Sequence, residues 1–443
     1  MGTAPKIIVL DDDPTGSQTV HSCLLLLKWD IDTLVLGLQD TSPIVFILTN
    51  TRALPPEQAD AVTREVCRNL KIAIPQAGIE EFLVVSRSDS TLRGHYPIET
   101  DAIADELGPF DAHFMVPAFF EGGRITRESV HYVMQGDTPI PAHETEFARD
   151  SVFGYSTSYL PDYVAEKTQG RIVADKVERF TLMRLRQGCL DALMTLENNV
   201  CVAVDGETQV DLNEFAQAVL KAAAQGKRFL FRSAASLLTA LAALPAQPIA
   251  AENMAQSVKE GHPGAVLVGS HVKKTTQQLK MLLQEPDVIG VEVELAQLVN
   301  NLEAGRAKLL EAVLVQVRQI HEKGQTPVIY TSRQELTFAD VQTRLDFGKN
   351  VSALLMDIVQ GLPGDLGFLI SKGGITSNDT LSVGLALRTT RLLGQILPGC
   401  SVVRTPEDHP QFSGMPVVLF PGNVGNEEAL ALAYRRLSGA QNC

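Results

Sequence analysis

Asp11, Asp12 and Asp13 stand in a row at the end of the short apolar run Ile7-Ile8-Val9-Leu10, and Pro14-Thr15-Gly16-Ser17 follows them. Adjacent carboxylates raise one another's proton affinity, and a partly desolvated one can serve as a general base. A bare Asp-Asp-Asp more often caps a helix as a solvated turn. The strand-like run before it and the Thr-Gly after it favour a site here. The arrangement then recurs. Arg52 follows Ile44–Leu48, Arg87, Asp89, Ser90, Thr91 and Arg93 follow Phe82–Val85, and Arg124 follows the run 112–116 by way of Gly122-Gly123. Arginine forks bind carboxylate or phosphate, and Ser and Thr hydroxyls pair with sugar hydroxyls. Taken singly, each is a surface arginine or an Arg–Asp bridge bracing a loop. Four consecutive strand ends bearing Asp, Arg, Arg and Arg suggest a small anionic, hydroxylated substrate, because open α/β sheets bind ligands outside the carboxyl ends of their strands.

The second half carries glycine and hydroxyl loops after its own apolar runs. Gly269-Ser270-His271 leads into a helix beginning near Thr275. Ser371-Lys372-Gly373-Gly374-Ile375-Thr376-Ser377 precedes a helix capped near Ser377 or Asn378, and Pro421-Gly422-Asn423-Val424-Gly425 precedes the last helix. Backbone N–H groups at such turns bind phosphates without charged side chains. Together the loops suggest a phosphate cradle. Lys372 is expected either to neutralise a phosphate or to be a solvated loop lysine. No G-x-x-x-x-G-K-[ST] occurs, so this is not a P-loop kinase, and the absence of G-x-G-x-x-G after a strand argues against a Rossmann dehydrogenase. The absence of Gly-x-Ser-x-Gly weighs against a hydrolase. The nine histidines show no metal spacing, and metal ligands are left unassigned.

The elements that position these loops read as alternating strands and helices. Strands are expected at 6–10, 44–49, 82–86, 112–116 and 201–204, then at 265–269, 289–293, 327–331, 367–371 and 416–420. Helices are expected at 56–72, 97–107, 180–195 and 211–225, then near 273–285, 302–323, 338–360 and 378–396. The stretch 118–165 reads as loops or a small insertion. This alternation predicts mostly parallel sheets with helices on both faces. A composition shift around 242–264 divides the chain into domains 1–250 and 251–443, two α/β domains with an active-site cleft expected between them. The 443 residues carry a net charge of −14, which argues against non-specific binding to nucleic acid or an anionic membrane. Six scattered cysteines, Cys443 the last, suit a reduced chain. The opening residues do not resemble a signal peptide, and the expected location is cytoplasmic.

Asp12-Asp13-Pro14-Thr15-Gly16 resembles the Asp-Asp-Leu-Thr-Gly signature that opens the four-carbon acid sugar kinases. Asp89-Ser90-Thr91-Leu92-Arg93-Gly94 matches that family's second signature, and Pro117 to Gly123-Arg124 its third. The loops around Ser270, Gly374 and Gly422 are similar to its C-terminal nucleotide domain. The likeness runs from about Ile7 to Glu428. Pro14 replaces the usual Leu, Arg87 stands where many relatives have Lys, and Ile375 stands where many have an acid. The resemblance implies an ATP-dependent kinase, with Mg²⁺, that phosphorylates a hydroxyl of a tetronate, a 3-oxo-tetronate or a branched relative such as 3-oxo-isoapionate. Asp12 or Asp13 would accept the hydroxyl proton, Arg93 or Arg87 would bridge to the phosphoryl group, and the other N-terminal residues named above would bind the acid. A homodimer is an allowed assembly. Two alternatives stay open: a sugar-acid aldolase or isomerase that uses no ATP, and a non-catalytic sensor of the acid or the nucleotide.

Overall fold

Short runs of Val, Ile, Leu and Phe, buried on both faces, make the central strands, as parallel sheets covered by helices require. The computed structural model of the protein describes residues 5–259, 261–299, 302–333 and 340–439. The chain divides into Met1–Ala246 and Gln247–Cys443.

Among the described residues the N-terminal unit has eleven strands: β1 Lys6–Asp11, β2 Leu24–Leu26, β3 Ile44–Leu48, β4 Phe82–Arg87, β5 Ala112–Val116, β6 Arg124–Arg127, β7 Val130–Gln135, β8 Thr138–Pro141, β9 Glu178–Phe180, β10 Val200–Val204 and β11 Phe229–Ser233. Eight of them run parallel in the order β2-β3-β1-β4-β11-β5-β10-β9. The carboxyl ends of β3, β1, β4, β11 and β5 are therefore neighbours. The helix Pro56–Gln76 starts on a proline and buries Ala59, Val66, Cys67, Leu70 and Ala73. Those positions share one face of the helix, and Val66, Cys67, Leu70 and Ala73 cluster with Ile8, Val45 and Val84 of the sheet. Complete burial of Val66 and Leu70 contributes about 1.5–3 kcal/mol each.

Among the described residues the C-terminal unit has seven: β12 Ala265–Val268, β13 Val288–Val293, β14 Thr326–Thr331, β15 Leu369–Lys372, β16 Thr389–Leu397, β17 Cys400–Arg404 and β18 Pro416–Phe420. Their order is β13-β14-β12-β15-β18-β17-β16, parallel as far as β18 and antiparallel beyond it.

Several expectations need correction. The helix expected at 378–396 is a six-residue helix, Gly374–Asp379, a π-turn, and then strand β16. Residues Thr389–Leu397 alternate half-buried and buried, the period of a strand. The helix begins at Gly374, capped by Gly373 and not by Ser377 or Asn378. The helix expected at 180–195 is two, Leu182–Gln187 and Leu190–Thr195, broken at Gly188 with φ +98°. Phe180 itself ends β9. The stretch read as loops holds the antiparallel meander β6-β7-β8. The helix placed near 338–360 is seen as Val341–Gln360, and 338–339 lie outside the described residues, as does Cys443. The other five cysteines are buried and form no disulfide. Among the described residues no helix is long and apolar enough to cross a membrane.

Candidate functional site

The five adjacent strand ends of the N-terminal unit carry one interlocked set of charges. Arg52 grips Asp12 with two donors, Nε at 3.1 Å and Nη2, and reaches Asp13 Oδ2 with Nη1 at 3.1 Å. Ser88 Oγ donates to Asp12 Oδ2 at 2.7 Å. Arg87 Nη1 stands 3.4 Å from Asp11 Oδ1 and 3.8 Å from Asp12 Oδ1. Asp13 also accepts from the Thr15 backbone and hydroxyl. On the β4 loop, Arg93 Nε donates to Asp89 Oδ2 at 2.9 Å, and Thr91 donates to the same carboxylate. Arg93 also lies 3.5 Å from Asp150. The Ser90 carbonyl accepts from His131 Nε2 at 2.7 Å. Arg93 and Arg124 both lie over the ring of Phe147, at 5.2 and 5.7 Å.

Two features of the sequence reading change here. Arg52, Arg87 and Arg93 are already paired with carboxylates, so Asp89 does brace its loop. Arg124 makes no ion pair among the described residues, and its Nε is buried without a partner. Asp11 is buried inside the cluster beneath Gly16, where an added Cβ would lie 2.0 Å from its Oδ1. Gly16 is thus needed for a close approach of carboxylate to backbone.

Burial pushes the Asp11 carboxyl up to about 7, against the pull of Arg87 and with help from Asp12 and Asp13. Burial would also raise Asp13, but Arg52, Arg87 and Thr15 outweigh it and hold Asp13 below the ordinary range. Asp89 is held lower still, with Arg52 and Arg93 overcoming its burial. The Asp11 shift has a consequence for stability. A carboxyl that holds its proton more tightly when folded stabilises the chain fully below about pH 4, and that contribution is lost as pH rises through about 7. Asn does not titrate. The stability of the natural chain relative to Asp11→Asn should therefore fall by a few kcal/mol between about pH 4 and pH 7 and be flat above that. Calorimetric melting at pH 5 and pH 8 checks this. An equal difference at both would show that Asp11 ionises normally.

Residues that sequence reasoning passed over complete the cluster. Arg232, inside β11, donates through Nη1 to Ser86 Oγ at 2.9 Å and to Glu99 at 2.6 Å, while its Nη2 is buried without a partner. Gly94, with φ +112°, passes so close that a Cβ there would lie 2.6 Å from Nη2 and 2.4 Å from Ser88 Oγ. Thr51 Oγ1 donates to the other Glu99 oxygen at 2.5 Å.

In the C-terminal unit the loops after β12, β14 and β15 line a cavity of about 730 Å³. Ser270, His271, Gly373, Gly374 and Thr376 all face it. Gly269 and Gly373 allow the contact between loops: a Cβ on Gly269 would lie 2.2 Å from Thr376 Oγ1, and one on Gly373 3.3 Å from Ser270 Cβ. Ile375 lines the cavity and is largely exposed. Ser371 and Lys372 do not line it. Ser371 is buried, its hydroxyl 3.1 Å from that of Thr380. Lys372 is neither solvated nor turned to the cavity. It is wholly buried, donates to the Pro421 and Gly422 carbonyls, and lies 4.2 Å from the centre of the Phe420 ring. Burial pulls it down to about 7. Gly422, Asn423, Val424 and Gly425 stand behind the Ser270 loop. The carbonyls of Gly422, Asn423 and Val424 accept from Thr275, Lys274 and Gln278 at 3.3, 3.1 and 2.9 Å. Gly425, with φ +79°, turns the chain into the last helix. Arg333 and Arg344, which the sequence reading did not single out, also line the cavity.

Residues 7–241 match the model of a sugar-binding N-terminal domain, and residues 265–430 that of a nucleotide-binding C-terminal domain. The chain belongs to the four-carbon acid sugar kinase family. Within it the chain is 24% identical to the D-erythronate kinase of Heliobacterium modesticaldum, across 96% of this chain and 95% of that one. It is 30% identical to the D-threonate kinase of Bordetella bronchiseptica over 165 residues, 35% of this chain and 38% of that one. Haemophilus influenzae protein HI1011 shares the fold, with a TM-score of 0.67 at 17% identity, over 97% of this chain and 100% of its own.

Proposed function

We propose that the protein is an ATP-dependent kinase that transfers the γ-phosphoryl group to a hydroxyl of a short sugar acid, a tetronate, a 3-oxo-tetronate or a branched relative. The observation that carries the reading is the buried Arg–Asp cluster where five strands of the sugar-binding domain end. A cluster of this kind suits a small hydroxylated anion. Arg124, with no ion pair among the described residues, and Arg93 beside it flank Phe147, and together they are our candidates for the substrate carboxylate. Ser90 and Thr91 lie in the same loop and would meet hydroxyls. Arg52 and Arg87 hold the aspartates in place. The likeness to the erythronate and threonate kinases supports the acid as acceptor, and the nucleotide-binding domain supports ATP as donor.

Asp13 is the carboxylate we assign to the reacting hydroxyl. The Asp12 side chain is 2% exposed and already accepts from Arg52 and Ser88, whereas that of Asp13 is 24% exposed and keeps acceptor capacity on Oδ2. Phosphoryl transfer depends mainly on positioning and charge stabilisation, so a carboxylate that orients the hydroxyl serves even when its own basicity is low. Magnesium would travel on the triphosphate, keeping water ligands. Among the described residues no three His, Cys, Asp or Glu side chains are grouped to hold a metal, so a preformed protein cage does not fit and no step is assigned to the ion.

A coupled ADP-release screen over four- and five-carbon sugar acids tests the reading. At least one acid should turn over, and tetritols and tetroses of equal length should be poor. Losing a desolvated arginine–carboxylate pair costs on the order of 2–5 kcal/mol. Equal turnover of neutral sugars would remove the anion site. ATP binding with no ADP released from any acid would favour a sensor.

A further inference from the structure

We propose that Arg333 and Arg344 hold the nucleotide's phosphates in the C-terminal cavity while the base lies against Phe347; this rests on the nucleotide reading above. The cavity has two unlike walls. One is made of the glycine loops at Gly269-Ser270 and Gly373-Gly374. The other comes from the helix Val341–Gln360, where Phe347, Val351 and Leu355 recur every four residues and so share one face. Among the described residues no Asp or Glu lines the cavity, in a chain whose net charge is −14. The apolar residues of that helix, with Arg344 one turn before Phe347 and Arg333 beside the Ser270 loop, fit a base and a polyphosphate in one cavity.

The positive charge must come from these two arginines. Lys372 is turned beneath the loops, and burial keeps His271 below its ordinary value, hence mostly neutral. Arg333 donates from Nη2 to the Val268 carbonyl at 3.3 Å and from Nη1 to that of Ser270, so it fixes the loop after β12. Those partners are neutral, and the guanidinium keeps its charge without an ion pair among the described residues. Its Nε is buried and lacks a partner. Arg344 is exposed at the cavity and makes no side-chain bond among the described residues. Arginine suits such a role because its fork meets phosphate with paired, charge-assisted bonds.

Calorimetric titration of the full chain with ATP, ADP and adenosine, at low and high salt, tests the assignment. Arg344→Met should weaken ATP and ADP about tenfold or more at low salt, and less at high salt, while adenosine is held as before. Arg333→Lys should keep more ATP affinity than Arg333→Met, since charge survives in the first. ATP binding unchanged in Arg344→Met, or ATP and adenosine weakened alike, overturns the assignment and leaves the nucleotide reading standing. Failure of the natural chain to bind either ATP or adenosine overturns both.

Discussion

Asp13→Asn lowers turnover by about 10²–10⁴-fold and leaves nucleotide affinity and melting temperature nearly unchanged. Asn keeps the size of the side chain, its one amide oxygen still accepts from Thr15, and Arg52 keeps its two bonds to Asp12, so the loop holds its shape. It loses the charge that would orient the substrate hydroxyl and take its proton. Asp12→Asn behaves differently. Asp12 is buried between Arg52, Arg87 and Ser88, and removing its charge leaves two arginines less compensated. Breaking a buried pair of that kind costs about 3–5 kcal/mol. Turnover should therefore fall together with the melting temperature. Steady-state kinetics, ATP titration and calorimetry on the two variants separate the roles. Near-normal turnover in Asp13→Asn would remove it from the reaction, and Asp89 would be examined next.

Much of this site could be read from one rule, that ligands gather past the carboxyl ends of parallel strands. Asp11 to Asp13, Arg52, Arg87 to Arg93 and Arg124 all sit there. So do Ser270, Gly373, Gly374 and Thr376. The rule located residues and did not tell which way their side chains turn. Lys372 is the clearest case. Its position suggested a phosphate, but its ammonium is folded under the loop onto two carbonyls. Arg333 lies two residues past the carboxyl end of β14 and satisfies the same rule. It passed unnoticed because no glycine accompanies it. Arg344 lies in a helix, where the rule says nothing.

Strands buried on both faces are apolar runs that local pattern marks well, and all ten expected strands match observed ones closely. The misreadings have local causes. In Thr389–Leu397 the alternation is diluted by Arg391, Gly394 and Gln395, and the apolar residues also satisfy a helical period. β11 is five residues, Phe-Leu-Phe-Arg-Ser, set close to the apolar helix Ala235–Ala242. Nothing in its own sequence says that it inserts between β4 and β5. That insertion is a long-range pairing, and it carries Arg232 into the site.

Arg232→Met and Glu99→Gln should each destabilise the chain by about 3–5 kcal/mol, and the pair of substitutions together should cost less than the sum. Both side chains are 6% exposed. Their contact at 2.6 Å ties β11 to the helix Ile98–Leu107, and Ser86 and Thr51 supply further bonds from the ends of β4 and β3. Removing Arg232 leaves a buried carboxylate with one hydroxyl donor. Removing the charge of Glu99 leaves a guanidinium whose Nη2 already lacks a partner. In the double variant neither charge is stranded, which is the source of the non-additivity. Sugar-acid binding should weaken as well, because Gly94 and Ser88, packed against Arg232, set the position of Asp12. Calorimetric melting of the two single variants and the double variant reads the coupling. Simple additivity would mean that Arg232 and Glu99 contribute independently and that the pair is not what joins the inserted strand to the charge cluster.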